Sequence, residues 1–249
     1  MNSLSDQWES QGYVTGLDIL LDSEVRHYRL LFDELESIEG KETAQIKLID
    51  RHFDLKFVWE LATYPTILKH VQRIIGPDVL LLSTHLFCKY PSLGDRFVAW
   101  HQDVTYWGLE PPFAITAWLA IDDADPQNGC MRVIPGSHLG EILDHGKSSR
   151  EGNLLSINQE ITDSMVDAAS AVDIVLNAGQ MSLHHGKLIH GSNPNRSNRR
   201  RCGLTLRFVP PTVKQVESNS MGGGWHAVPV CGKDEYHHFG EEPRPSFDL

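Results

Sequence analysis

The sequence predicts a mainly β fold with flanking helices: a helical N-terminal layer over residues 1–77, followed by a β barrel or sandwich over 78–249. Two observations support this. Before Pro77, apolar residues recur at helical spacing; after it, short runs rich in β-branched and aromatic residues alternate with turn residues. A chain of 249 residues, 41% of them hydrophobic, is predicted to form one domain over 1–249 around a single core.

The N-terminal layer is predicted to contain three helices. The first runs from Ser23 to about Ile38, with Asp22 or Ser23 placed to cap its first turn. The others cover residues 52–62 and 65–75, and Gly76-Pro77 ends the last one. The apolar face predicted for the first helix consists of Val25, Leu30, Leu31, Leu35 and Ile38.

The β region is predicted from runs that turn sequences separate, such as Asp125-Pro126-Gln127-Asn128-Gly129. Residues 139–172 interrupt the runs with polar, helix-compatible sequence. This segment is interpreted as an insertion or a lid, and an ordinary surface excursion explains it equally well. The predicted strands cover residues 79–90, 97–103, 113–121, 131–134, 174–176, 181–184 and 202–209.

Composition excludes several classes of partner. The net charge of -11 gives a field that repels phosphate backbones and anionic lipid headgroups, so neither nucleic acid nor a membrane is an expected partner. The four cysteines form no close pair, which favours reduced thiols in a cytoplasm. No apolar run is long enough for a membrane span, and no leader pattern opens the sequence, so we expect a soluble cytoplasmic protein.

Candidate metal ligands begin with His101-Gln102-Asp103, at the end of a predicted strand. Side chains alternate along a strand, so His101 and Asp103 are expected on one face and Gln102 on the other. A third ligand, His190, follows an apolar run and precedes Gly191. Two imidazoles and one carboxylate on one face of an octahedral ion favour Fe(II) and leave positions open for substrate and oxygen. A histidine-x-aspartate pair alone is a weak signal, and a surface histidine beside an acid is its simpler interpretation.

A basic run at residues 199–201 adds a candidate anion site. Arg201 lies eleven positions after His190, in the predicted strand that ends at Val209. Its guanidinium can bind a carboxylate through two hydrogen bonds, as a dicarboxylic keto acid requires at its far end. Alternation along the strand places Arg201 inside and Arg200 in water.

Several ordered blocks carry a family resemblance: Trp100-His101-Gln102-Asp103, Trp118 to Asp123, Asn128 to Met131, Pro135 to His138, His190-Gly191-Ser192 and Arg201. They resemble the phytanoyl-CoA dioxygenase-like branch of the Fe(II)/2-oxoglutarate-dependent oxygenases. The resemblance implies a double-stranded β-helix (jelly-roll, cupin-like) core with Fe(II), 2-oxoglutarate as co-substrate, and O2.

The resemblance also implies roles for individual residues. His101, Asp103 and His190 are expected to bind the metal and form the catalytic centre. Arg201 and Ser192 are expected to hold the co-substrate, and Trp118 to line its pocket. Related halogenases have alanine or glycine in place of the acid at position 103, so the presence of Asp103 implies hydroxylation or another oxidation.

The remaining site predictions are less constrained. Trp107, Gln102 and Trp225 are assigned to the substrate side. His85 either reaches the co-substrate pocket or is a hydrogen-bonded core histidine. Of His184 and His185, at most one can face inward, because neighbouring strand residues point in opposite directions. Residues 221–225 are interpreted as a flexible loop, with an aromatic flap over the substrate as the alternative.

Three functions are compatible with these residues. The first is a dioxygenase that hydroxylates or otherwise oxidises a small-molecule substrate and releases succinate and CO2. The second is a non-catalytic β-barrel protein that binds a small molecule. The third is a metal-dependent hydrolase that uses metal-bound water as nucleophile. The substrate and the oligomeric state stay open.

Overall fold

The computed structural model describes residues 4–216, 218, 223–240 and 244–247. Its architecture is mainly β, with helices packed against one sheet. The helices are α1 (Leu4–Gln11), α2 (Asp22–Glu39), α3 (Lys41–Ile46), α4 (Lys56–Ala62) and α5 (Pro65–Ile75). The strands are β1 (Tyr13–Asp18), β2 (Leu48–Ile49), β3 (Val79–Lys89), β4 (Val98–His101), β5 (Leu109–Glu110), β6 (Ile115–Ala120), β7 (Met131–Val133), β8 (His145–Lys147), β9 (Gln159–Ile161), β10 (Val172–Ile174), β11 (Gln180–His185), β12 (His190–Ser192), β13 (Arg201–Val209), β14 (Lys214–Gln215) and β15 (Val228–Cys231).

Two antiparallel sheets organise the molecule. The larger has seven strands in the order β1-β11-β6-β13-β3-β15, with β2 also paired to β3. The smaller has four strands in the order β10-β7-β12-β4. Neighbouring strands in both sheets are distant in sequence, so residues far apart in the chain meet across a ladder.

Alternation along the central strands separates core from cavity. On β13, Cys202, Leu204, Leu206 and Phe208 are buried in the hydrophobic core that contains the helices. The intervening Arg201, Thr205 and Arg207 line a cavity on the opposite face. Strand β6 and the second half of β3 follow the same rule, because Ser83, His85 and Phe87 of β3 and Thr116 and Trp118 of β6 face the cavity. One face of the sheet thus packs in the hydrophobic core, and the other lines the cavity.

Helix α2 lies where the sequence predicts it, but its buried face differs. Tyr28, Phe32 and Leu35 are buried, whereas Leu30 is 62% exposed and Ile38 is 82% exposed. The prediction of Leu30 and Ile38 as core positions is therefore wrong. The aromatic residues occupy the stripe that faces the sheet, and the two aliphatic residues fall outside it.

The predicted cap of α2 is also wrong. Neither Asp22 nor Ser23 caps the helix; instead the Leu21 N–H donates to the Glu24 carboxylate at 2.8 Å. This contact satisfies a backbone group just before the first turn and adds negative charge at the positive end of the helix dipole.

The remaining elements follow the prediction with specific differences. Helix α5 and strand β3 begin where predicted, and the predicted helix at 52–62 is shortened to α4. The N-terminal layer also contains the unpredicted elements α1, α3 and β1. The segment 139–172 contains the β8–β9 hairpin, and no α-helix falls within it, contrary to its helix-compatible composition. Within the described part of the chain, no helix has the length and apolar character needed to cross a membrane.

Candidate metal centre

Three side chains that can ligate a metal converge at the cavity wall. The ligating atoms of His101, Asp103 and His190 all lie within 4.8 Å of one another. Nε2 of His101 is 3.6 Å from Asp103 Oδ1, and Nε2 of His190 is 3.9 Å from the same oxygen. The sequence-predicted ligand set is thus brought together by elements that are remote in the chain.

Pairing of β4 with β12 creates this convergence, because His101 and His190 are direct partners across the ladder. Each imidazole is oriented by a backbone carbonyl two residues earlier: Nδ1 of His101 lies 2.9 Å from the Ala99 oxygen, and Nδ1 of His190 lies 2.9 Å from the Leu188 oxygen. A carbonyl only accepts, so each Nδ1 carries the hydrogen and each Nε2 presents a lone pair to the cavity.

Asp103 reaches the cluster differently from the prediction. Strand β4 ends at His101, and Asp103 begins a short 3-10 helix, Asp103–Tyr106. Strand alternation is therefore the wrong reason for its orientation. Thr116 on β6 donates to Asp103 Oδ2 at 2.8 Å, and Nε2 of His184 on β11 lies 3.4 Å from the same oxygen. The other carboxylate oxygen, Oδ1, is left facing the two imidazoles.

The electrostatics of the cluster suit a divalent cation. Burial opposes ionisation of Asp103, but the neighbouring imidazoles of His101 and His184, with the charge of Arg207, bring its pKa well below the ordinary value. Burial, with the nearby imidazoles of His101 and His184, lowers the pKa of His190 well below the ordinary value. The cluster thus offers an ionised carboxylate and a neutral imidazole, the protonation states that ligation requires. This donor set and its facial arrangement fit Fe(II).

Two buried basic residues lie at one end of the cavity, Arg201 in its wall and Lys89 beside it, and the sequence analysis identified only Arg201. Arg201 donates to the Gly129 carbonyl at 2.9 and 3.2 Å. Lys89, its Cα partner on β3, donates to Ser192 Oγ at 2.6 Å and to the Asn193 carbonyl. No ion pair in the described part of the chain involves either residue. Burial lowers the pKa of both side chains, and the charge of Arg201 adds to the effect on Lys89.

Ser192 and Trp118 complete this cationic end. Ser192 lies two residues after His190 on β12, and both line the cavity. The Arg201 guanidinium lies 5.4 Å from the centroid of the Trp118 ring. Gly203 makes room for this indole, since a Cβ there would fall 2.1 Å from Trp118 Cζ2. Sequence reasoning missed Lys89, although its position on a predicted buried strand was an available signal.

The other end of the cavity is aromatic. Trp107 and Trp225 both line it, and their rings meet edge to face at 5.6 Å. The Trp225 Nε1–H donates to the Trp107 carbonyl at 2.9 Å, which ties Trp225 to the wall. The predicted loop at 221–225 is only partly covered by the structure, because Met221 and Gly222 lie outside the described residues.

His85 lies in the cavity wall and is also hydrogen-bonded to the backbone. It lines the cavity, and its Nε2 lies 2.7 Å from the Ile46 carbonyl. Burial and the charge of Arg207 lower its pKa to about 3, so the ring is neutral at physiological pH. Of the His184-His185 pair, one faces inward as expected: His184 lines the cavity, and His185 packs against Trp8 and Phe113.

Gln102 does not line the cavity, which contradicts its assignment as a substrate contact. Its amide nitrogen donates to the Glu141 and Lys187 carbonyls, and its oxygen accepts from the Leu143 N–H at 2.8 Å. All of these partners are backbone groups away from the metal cluster. Gln102 therefore ties the strand end to the segment after Leu139.

The basic run also differs from the prediction in one respect. Arg201 faces inward as expected, but Arg200 does not simply face water. Its guanidinium pairs with Asp122 at 2.7 Å and with Asp33 and Glu36 of helix α2. Strand alternation thus correctly placed Arg200 and Arg201 on opposite faces of β13. The face that carries Arg200 is covered by helix α2.

The segment between β8 and β9 contributes to the cavity wall. Leu154, Leu155 and Ser156 line the cavity, together with Gln159 at the start of β9. The Phe97 N–H donates to Gly152 and the Leu154 N–H to Phe97, both at about 3 Å. The predicted insertion therefore packs directly beside the strand that leads to His101.

Fold and site together define the class: this is a cupin-like, non-haem Fe(II)- and 2-oxoglutarate-dependent oxygenase, as comparison with known proteins confirms. The family model for phytanoyl-CoA dioxygenase matches residues 8–203, and the chain belongs to that family. The structure of the non-haem monooxygenase ThoJ in its apo form is similar, with a TM-score of 0.78, 29% identity and coverage of 98% of this chain and 88% of ThoJ. The predicted fold class and family are thereby confirmed.

Among curated proteins, the chain is 28% identical over 235 residues to the peroxisomal phytanoyl-CoA dioxygenase of Bos taurus, covering 84% of this chain and 68% of that protein. It is 23% identical over 201 residues to a probable alpha-ketoglutarate-dependent hypophosphite dioxygenase of Stutzerimonas stutzeri, covering 80% of this chain and 70% of the relative. The names of these relatives specify very different substrates, so family membership leaves the substrate of this chain open.

Proposed function

We propose that this protein hydroxylates, or otherwise oxidises, a small-molecule substrate and converts 2-oxoglutarate to succinate and CO2. His101, Asp103 and His190 would hold the metal, and Arg201 with Ser192 would hold the co-substrate. Bound Fe(II), with 2-oxoglutarate and dioxygen, supplies the oxidising power. The chain's own residues orient the reactants and exclude water from the cavity.

The observation that carries the proposal is the buried guanidinium of Arg201 in the wall of the cavity that contains the metal cluster, where no carboxylate of the described residues forms an ion pair with it. A buried guanidinium without a counter-ion favours a bound anion. A dicarboxylate that reaches from the metal to Arg201 would neutralise this end of the cavity. Because Lys89 already donates to Ser192 Oγ, the Ser192 hydroxyl hydrogen is free to donate to the same carboxylate.

This charge arrangement also favours the oxidation proposed over the other two functions that the sequence left open. A hydrolase that uses metal-bound water gives Lys89 and Arg201 no task near the metal. A binding protein without turnover has no need of an open set of three ligands. The Asp103 carboxylate, held by Thr116, supports oxidation over halogen transfer because it occupies the position that a halide would need.

The proposal is tested by titrating 2-oxoglutarate into the Fe(II)-loaded protein without oxygen. Binding is measured by the charge-transfer absorption of the complex of Fe(II) with 2-oxoglutarate. Arg201→Met is expected to weaken binding by at least about 30-fold, the effect of losing roughly 2 kcal/mol from a buried charged hydrogen bond. Arg196→Met is the matched control, since Arg196 is exposed and pairs with Asp95 at the surface. Succinate release in air then tests turnover.

Unchanged affinity in Arg201→Met would contradict the role of Arg201. Failure of the folded wild type to bind both Fe(II) and 2-oxoglutarate would overturn the proposed function as a whole. Succinate that forms only in the presence of an added small molecule would identify that molecule as a substrate candidate.

A further inference from the structure

A second arginine lies at the aromatic end of the cavity. Arg207 is six residues after Arg201 on β13 and points to the same face. At about 3.3 Å per residue the two Cα atoms are roughly 20 Å apart, so one small dicarboxylate held at the metal by Arg201 cannot occupy both. Arg207 pairs across the sheet with Thr116, the residue that donates to Asp103. It therefore lies level with Asp103 along the sheet, well away from Arg201.

The Arg207 guanidinium has few partners within the protein. Nη1 donates to Thr205 Oγ1 at 3.3 Å, and the guanidinium carbon lies 5.3 Å from the centroid of the Trp107 ring. Nε is buried and has no hydrogen-bond partner in the described part of the chain. No carboxylate of the described residues lies within ion-pair distance. A guanidinium with five donors thus has most of its hydrogen-bonding capacity unused.

Few of the side chains that line the cavity are charged. Among the described residues that line it, Asp103 is the only acidic side chain, and the cationic ones are Arg201 and Arg207. Asp103 belongs to the metal cluster, and the proposed function assigns Arg201 to 2-oxoglutarate. Arg207 is then the remaining cation, close to the place where a substrate must present the bond to be oxidised.

We infer that the substrate is an organic anion whose carboxylate or phosphate group pairs with Arg207, while the adjoining carbon skeleton packs against Trp107 and Trp225. This inference rests on the proposed function and adds the chemical class of its substrate. The indole pair supplies an apolar wall, and the Trp107 ring lies beside the Arg207 guanidinium. A neutral analogue loses the ion pair but keeps the packing.

The test uses two sets of probes, each with a carboxylate, an amide and a phosphate on a similar carbon skeleton. The aromatic set is hydrocinnamate, hydrocinnamamide and phenethyl phosphate, and the aliphatic set is octanoate, octanamide and octyl phosphate. The protein is loaded anaerobically with Fe(II) and saturating 2-oxoglutarate, so that the Arg201 end is filled, and probe binding is measured by calorimetry. In the wild type, an anion of at least one set is expected to bind about tenfold or more tightly than its amide. Comparison of carboxylate with phosphate decides which group Arg207 prefers.

Arg207→Met is expected to remove the preference for the anion and to leave amide affinity unchanged, because methionine retains packing against Trp107. Arg207→Lys keeps the charge and should retain part of the preference. Arg196→Met, at the surface, should behave as wild type. In all variants 2-oxoglutarate affinity is measured in the same samples and is expected to stay at the wild-type value.

Absence of any preference for the anions in the wild type, with 2-oxoglutarate bound, would overturn the inference and leave the proposed function standing. Equal loss of anion and amide affinity in Arg207→Met would also overturn it, since that pattern means that Arg207 only positions Trp107. Failure of the wild type to bind 2-oxoglutarate would overturn the proposed function and this inference together.

Discussion

At the scale of single residues, the metal cluster depends on side chains that do not belong to it. Thr116 and His184 both approach Asp103 Oδ2, while the two ligand histidines face Oδ1. Side chains from β6 and β11 of the larger sheet therefore contact the carboxylate oxygen that faces away from the two histidines. Partners of this kind orient a ligand before the ion arrives, which reduces the cost of binding.

Removal of the Thr116 hydroxyl is expected to weaken the metal site without changing its ligands. Thr116→Val deletes the hydrogen bond to Asp103 and should raise the Kd for Fe(II) by about 10- to 100-fold, while Thr116→Ser should preserve it. The measurement is an anaerobic Fe(II) titration of the folded protein. Thr205→Val is the control, because Thr205 lines the same cavity but donates to the His85 carbonyl. Equal affinities in all three variants would show that Asp103 needs no such support.

At the scale of elements, helix α2 shows why apolar periodicity gives only part of a packing face. Phe32 is fully buried on the sheet, and the Arg200 guanidinium lies 4.9 Å from its ring centroid. Leu30, two positions earlier, points to solvent. The apolar pattern predicts that a helix forms. Packing against the sheet decides which of its side chains are buried.

Paired alanine substitutions in α2 are expected to differ strongly. Phe32→Ala should lower the free energy of unfolding by about 3–5 kcal/mol through loss of buried area and a residual cavity. Leu30→Ala should change it by no more than about 0.5 kcal/mol, because the side chain is exposed and alanine favours helix. Urea unfolding of both variants measures the difference. A large loss in Leu30→Ala would mean that this face is covered in solution.

At the scale of the whole molecule, buried neutral histidines couple stability to pH. Burial and the charge of Arg207 lower the pKa of His85 to about 3; burial and the neighbouring cationic groups lower that of His185 to about 4. The unfolded chain binds protons at these positions below about pH 6.5, whereas the folded chain does not. Their contribution is present above pH 6.5 and is lost as the pH falls towards the folded values.

The free energy of unfolding is accordingly expected to decrease as the pH falls from about 6.5 to about 4. His185→Gln should flatten this dependence, because the amide does not titrate and can still accept from the Lys187 N–H. His27→Gln, at an exposed position, should leave the slope unchanged. Urea titrations at several pH values provide the measurement, and a slope unaffected by His185→Gln would contradict this account.

The sequence by itself determined the family, most of the larger elements and the three side chains that meet in the metal cluster. Hydrophobic periodicity and turn residues locate helices and strands because both are local properties. The three candidate ligands were found because His101-x-Asp103 and His190, with Arg201 after them, keep a recognisable order and spacing along the chain. The organisation of residues 1–249 as one domain remains a prediction.

Only the tertiary structure decided which side chains share a surface. The antiparallel pairing of β13 with β3 and β6 places Lys89 beside Arg201 and Thr116 beside Arg207. In the smaller sheet, the Gln102 side chain after β4 binds the backbone of Glu141 and Leu143 and does not line the cavity. Strand register is set by packing over the whole sheet, so contacts between residues a hundred positions apart leave no local pattern in the sequence.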